Sequence, residues 1–421
     1  MKKGLLALAS SILLSLPMQA MATTEVTWWD FLGGGDGVRM KSLIEQFNTS
    51  QSDVKINAST LQWGVPFYTK IQTSAAVGEQ PDIMTYHLSR FPLAVPTGIL
   101  RPFSAAELSS VGLGPDKYFP ANWEAANVDG KTYGVPLDIH AMVLYYNKDL
   151  LGKAGLLNSN GLPNLDGVAN FTAGLRKLKD NGAEYGASLA TADGGTVWRL
   201  WYSMLNQING AQFISGKSVC PADNCANVTA QITSWVGEEL ISSETAYPDA
   251  IALFTSGKAA MHFNGVWEVP TFTDLSKNDK LGFEWGAVRI PVMYDKPATW
   301  ADSHAFAVPH SDRKPISQEK LQAVLKVISW MNQNSLFWAT AGHIPGYKPI
   351  VDSAEYKKME PNATYAVLAE NAAFDPKSKI AGVASPVYDA IQNFILPSVN
   401  GQLESEEAIE MMKETLEPQI E

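Results

Sequence analysis

The sequence predicts an α/β fold built as two lobes, and three observations carry that reading. Residues 25–29 and the run Val54, Ile56, Ala58 alternate as strands, with Met40, Leu43, Ile44 and Phe47 at helical spacing between them. That strand–helix–strand order is the opening unit of an open sheet. The 399 residues left after an N-terminal export signal (421 minus 22) suffice for two to three domain equivalents. No stretch rich in Ser, Pro and Gly separates one half from the other. The chain is therefore expected to weave between its lobes more than once.

The export signal opens with Lys2 and Lys3, continues through an apolar core at 4–16 and ends on the small residues Ala20-Met21-Ala22. The core's 13 residues fall short of the about 20 that a membrane helix needs. No Cys follows the core to carry a lipid. Cleavage after Ala22 is expected, giving a soluble chain from Thr23 without a membrane anchor, in a Gram-negative periplasm. Removing two lysines takes the formal charge from −11 to −13, which disfavours a nucleic-acid partner.

The glycine-rich turn at 33–37 precedes the first helix, with Asp36 as its expected cap. A third strand is expected at 82–86, punctuated by Gly78 and Pro81. From Asp129 the run DGKTYGVPLDIHAMVLYYNKDLLGKAGL reads as a polar turn, a short strand at 133–135, a crossing segment with Asp138 and His140, and an apolar run at 142–146 that stops at Asn147-Lys148-Asp149. Amphipathic spacing recurs at 171–178 and, more cleanly, in Leu321, Val324, Leu325 and Ile328. Cys220 and Cys225 flank a Pro/Asp/Asn turn and, in an oxidising compartment, are expected to form one local disulfide.

The run from Asp129 resembles the lobe-to-lobe crossover of extracellular solute-binding proteins (family 1), the periplasmic sugar-binding component of carbohydrate ABC importers. GEQPDIMTYH (from Gly78), GILRPF (from Gly98), FTSGKAAMHFNGVW (from Phe254) and AGHIPGYKP (from Ala341) follow the family's order as well. The resemblance implies a periplasmic-binding-protein fold, two lobes joined by a hinge of two to three crossing segments. Crossings are expected near 136–140, 289–301 and 337–345. One lobe is then 23–137 plus 289–336, the other 138–288 plus 337–421. The resemblance also implies a monomer that captures a small carbohydrate and delivers it to the transmembrane subunits of an ABC importer, with no catalysis, cofactor or metal.

Sugars present apolar C–H faces to aromatic rings and a rim of hydroxyls to fixed donors and acceptors. In open α/β sheets ligands bind beyond the carboxyl ends of the strands. Trp28 and Trp29 end the first strand, and alternation sends one indole to the core and the other to the cleft. His87 follows the third strand, and Trp63 follows the second. Asp138 and His140 lie on the crossing segment, where a carboxylate can take two hydroxyls at once or serve as a hinge bond. Trp267 falls where the family carries a stacking tryptophan, and Asp302 where sugar-binding members place a carboxylate, with Ser303 and His304 as weaker companions. Trp198 and Trp201 read as packing residues.

Enzyme readings find less support. Asp138 and Asp302 are the pair that a glycosidase reading would use. No G-x-S-x-G elbow, G-x-x-x-x-G-K-[ST] loop or H-E-x-x-H pair occurs. The alternatives are an exported glycoside-acting enzyme and a binding protein for a non-sugar such as ferric ion or polyamine.

Overall fold

The computed structural model describes residues 23–420, so the expected signal and its cleavage point lie outside them. The first lobe opens with β1 (Thr24–Asp30), α1 (Gly34–Ser50), β2 (Val54–Thr60), α2 (Val65–Val77) and β3 (Ile83–His87). β2 and β3 run parallel to β1 on its two sides. α1 buries Met40, Leu43, Ile44 and Phe47, the apolar stripe that its spacing predicts. Its N-cap is Gly33 and not Asp36, which stands in the first turn. Glycine at 37 is a matter of space: a Cβ there would meet the Leu32 carbonyl oxygen at 2.5 Å.

Two short strands follow, β4 (Leu100–Arg101) and β5 (Gly134–Pro136). The second lobe is built on β6 (Asp138–Asn147), buried along its whole length. Around it come β7 (Tyr185–Ser188), α3 (Gly194–Asn206), β8 (Ala259–Gly265), β9 (Trp285–Arg289) and β10 (Thr299–Asp302). β11 (His304–Pro309) returns to the first sheet, antiparallel to β3, β4 and β5. α4 (Gln318–Gln333), capped by Ser317, packs on β1 and α1. β12 (Ile344–Pro345) and β13 (Ala372–Phe374) complete the second sheet.

The chain passes between sheets at Leu137, at Ser303 and along 334–343. The expected second crossing at 289–301 is corrected, and with it the placing of 289–302 in the first lobe; the rest of 289–336, from β11 through α4, does lie there. β9 pairs with β6 from Trp285 to Arg289, and β10 pairs with it at Ala301 and Asp302. The intervening loop leaves the second sheet and returns to it, held by Asp166, which accepts from Val292 N, and above all by Gln207. Gln207 Nε2 donates to the carbonyls of Pro291 and Ala298, and its Oε1 accepts from Met293 N. Cys220 and Cys225 are joined, with Cα atoms 5.8 Å apart, tying the turn before a helix of the second lobe to the helix's first turn.

Candidate functional site

A cavity of about 640 Å³ lies between the lobes, within the range of small-molecule sites. The first lobe contributes the segment that follows β1, with Phe31, the glycine-rich turn and Asp36, together with Trp63 after β2 and His87 at the end of β3. The crossing segments contribute His140, His304 and His343. The second lobe adds Arg199 from α3, Tyr247, Trp267 and Glu268 after β8, Trp300 and Tyr388. The lobes approach closely at the rim. A Cβ on Gly35 would lie 2.9 Å from Pro270 Cβ, so only glycine lets these two surfaces meet.

Two aromatic walls are fixed by polar contacts. The His87 ring stacks on Phe31 at 4.6 Å, its Nδ1 is 2.6 Å from the Tyr68 hydroxyl, and Trp63 stands edge-on to it. On the opposite side Trp267 lies over Gly265, where any Cβ would strike its ring at 2.1 Å. Trp267 Nε1 donates to the Tyr247 hydroxyl at 2.8 Å, and that hydroxyl lies 2.7 Å from Glu268 Oε1. Burial raises the Glu268 carboxyl above its usual range. The Arg199 guanidinium sits 5.0 Å from the Trp267 ring centre and 4.9 Å from that of Trp300, close enough for cation–π attraction.

Several buried polar atoms of lining residues have no hydrogen-bond partner: Asp36 Oδ1, Arg199 Nε, both ring nitrogens of His343 and the Tyr388 hydroxyl. Buried polar groups are normally satisfied, so a concentration of orphans at one cavity marks where a polar ligand is expected. His140 is pushed down to about 3, by burial first and by neighbouring His304 second, and is neutral at pH 7.

The cavity, its aromatic walls and its two-lobed setting agree with the match of residues 42–365 to the model of the bacterial extracellular solute-binding proteins. The chain belongs to that family. A mannitol-binding protein of Pseudomonas aeruginosa is 26% identical over 324 residues, covering 74% of this chain and 71% of the relative. An sn-glycerol-3-phosphate-binding periplasmic protein of Brucella suis is 30% identical over 169 residues, 36% of this chain and 35% of the relative. Among solved structures, a maltose-bound MalE3 of T. maritima has a TM-score of 0.79 at 19% identity, covering 94% of this chain and 100% of that one. The acarbose-binding GacH receptor of Streptomyces glaucescens has a TM-score of 0.78 at 16% identity, covering 94% and 98%. At such identities these structures establish the two-lobed fold alone. Membership in an extracellular family means export, and no helix among the described residues is long and apolar enough to cross a membrane.

Against this extracellular solute-binding frame the expected site residues divide. Trp63, His87, His140 and Trp267 line the cavity. Trp28 and Trp29 do not. Trp28 is fully buried with Nε1 bonded to Thr85, and Trp29 lies on the opposite face of β1, 5.7 Å from the Lys70 ammonium. Strand side chains stand perpendicular to the sheet, so the cleft is reached by Phe31, beyond the strand.

Asp138 and Asp302 are also outside the lining. Asp138 Oδ1 accepts from His140 Nδ1 (3.1 Å) and His304 N (3.0 Å), and its Oδ2 accepts from His304 Nδ1 (2.8 Å) and Trp338 Nε1 (2.7 Å). Burial alone would raise this carboxyl, but the histidines around it hold it well below the usual range. Asp302 accepts from Ser89 N, Ser89 Oγ and Ser303 N, tying the second crossing to the first lobe. Both carboxylates are spent on the hinge.

Sequence reasoning missed Arg199, Tyr247, Trp300, His343 and Tyr388. Arg199 left a trace, as the one charged residue of a helix otherwise apolar or small. His343 lay within a quoted motif, whereas Tyr247 and Tyr388 carry no local signal.

Proposed function

We propose that this protein captures a small carbohydrate or polyol between its lobes and delivers it to the transmembrane subunits of an ABC importer. One observation carries the reading: a cavity between two lobes with indoles on opposite walls, Trp63 and Trp267, and orphaned polar atoms between them. The mannitol-binding relative supports the same ligand class. In this reading Trp267 is the principal stacking surface, with Trp63 facing it from the first lobe. His87 and His140 offer hydroxyl partners, joined by Arg199, Glu268 and Asp36.

The protein works as a monomer in the periplasm and hydrolyses nothing. The two carboxylates that a glycosidase would use, Asp138 and Asp302, have their oxygens occupied by protein donors. The hinge defines lobes of 23–137 plus 303–334 and of 138–302 plus 335–420. A thermal-shift screen of mono- and oligosaccharides and polyols tests the reading. A ligand at a thousandfold over Kd stabilises by about 4 kcal/mol, and a screen with no response removes the proposal.

A second reading rests on Arg199, whose Nε is buried without a partner beside two indoles. It assigns the protein an anionic polyol, such as a sugar acid or a phosphorylated polyol. Tighter binding of the anionic than of the neutral member of a matched pair, weakened by salt and abolished by Arg199→Gln, selects it.

A further inference from the structure

Six histidines occur in the sequence, and four of them, His87, His140, His304 and His343, line the cleft. We propose that His140, His304 and His343 form a site for a divalent transition metal of the imidazole-preferring class, Zn²⁺ foremost, at the cleft floor. Their ring centres are 4.3 Å (His140 to His304), 5.3 Å (His304 to His343) and 5.8 Å (His140 to His343) apart. Three imidazoles bound tetrahedrally at Zn–N of about 2.0–2.1 Å have ring centres about 5 Å apart. One nitrogen from each ring and one oxygen of Asp138 lie within 4.8 Å of one another, all four residues buried.

The second observation is the set of carboxylates behind the rings. Asp138 holds Nδ1 of both His140 and His304, and Asp36 Oδ2 lies 3.0 Å from His343 Nε2. That leaves one nitrogen on His140 and on His304, and the Nδ1 of His343 that faces away from Asp36, for a ligand. Among the described residues no hydrogen bond engages His140 Nε2 or His304 Nε2, and both ring nitrogens of His343 are buried without a hydrogen-bond partner, Asp36 approaching its Nε2 only as an ion-pair contact. A carboxylate on the far nitrogen is the arrangement that fixes the tautomer and orientation of metal-ligating histidines. Asp138, its oxygens already bonded, acts here as a positioning residue. Imidazole donors favour Zn²⁺, Cu²⁺, Ni²⁺ and Fe²⁺ over Mg²⁺ and Ca²⁺.

The three rings come from three crossing segments, so a bound ion would tie the hinge together at the floor of the cleft. The site stands on histidine geometry and needs no carbohydrate, though a bound ion would take the His140 nitrogen otherwise offered to a hydroxyl.

The test uses the folded protein without a polyhistidine tag, stripped with EDTA and titrated with Zn²⁺ by calorimetry and with Co²⁺ by visible absorption. One equivalent of Zn²⁺ is expected to bind and raise Tm, and Co²⁺ is expected to give the intense bands of a tetrahedral site. His343→Ala and His140→Gln are each expected to weaken Zn²⁺ binding at least tenfold with an unchanged far-UV spectrum. His310→Ala, a surface histidine beside Asp312, is expected to leave it unchanged. Absence of stoichiometric uptake, or equal uptake by parent and both cleft variants, overturns the site. Carbohydrate binding that persists in EDTA without metal uptake overturns the site and leaves the proposed function standing. One-equivalent uptake by a protein that answers no carbohydrate supports the site and removes that function.

Discussion

Asp138 and Trp267 show how differently two residues at one cleft are used. Trp267 is held at its edge by Tyr247 and at its face by Arg199, which leaves an indole at the cavity wall. Trp267→Ala is expected to weaken ligand binding by about 1.5–3 kcal/mol, as loss of a buried aromatic anchor does, with melting unchanged. Calorimetry showing parental affinity would remove Trp267 from the site. Asp138, in contrast, joins the first crossing to His304 of the second and Trp338 of the third. Asp138→Ala would strand three buried ring N–H donors, and a stability loss of about 3–5 kcal/mol in urea denaturation is expected. A loss below about 1 kcal/mol would show that the crossings are held by something else.

Among the elements, β13 is tied to α3 and β10 through one buried carboxyl just beyond its end. Asp375 Oδ1 accepts from Trp198 Nε1 and from Trp300 Nε1, both at 2.9 Å. Burial pushes this carboxyl up to about 7 from its ordinary 3.8. A raised carboxyl binds its proton more tightly in the folded than in the unfolded chain. Its stabilising contribution is therefore complete below pH 4 and falls as pH rises from about 4 to 7, by up to about 4 kcal/mol. Asp375→Asn keeps an acceptor for both indoles and has no proton to lose. The stability difference, variant minus parent, should grow with pH across that window in denaturation at pH 4, 5.5 and 7. A difference independent of pH would mean that Asp375 titrates normally.

On the scale of the whole molecule, three crossings join two sheets that enclose the cavity, and the lobes touch at Gly35 and Pro270. Each lobe carries only part of the polar lining, so a ligand that contacts both favours the closed arrangement. Small-angle scattering is expected to show a smaller radius of gyration with saturating ligand than without it, together with altered tryptophan fluorescence as Trp63, 47% exposed, is covered. Saturable binding with an identical radius would replace the hinge by a rigid pocket.

Local patterns alone determined much of this molecule. Alternation in β1 and β2, the helical spacing of Met40 to Phe47 and the apolar run of β6 each follow from neighbours in the chain, and they carried the α/β fold and its two lobes. The pairing of Cys220 with Cys225 was legible for the same reason. The turn from one sheet to the other at Ser303 was not, because a strand that stays in its sheet and one that leaves it read alike until partners are known. Nor could the sequence tell that Asp138 and Asp302 serve the hinge, since what a buried carboxylate does depends on which donors surround it. The histidines carry the plainest case. His140, His304 and His343 have no motif spacing, and only the meeting of three crossing segments brings their rings together.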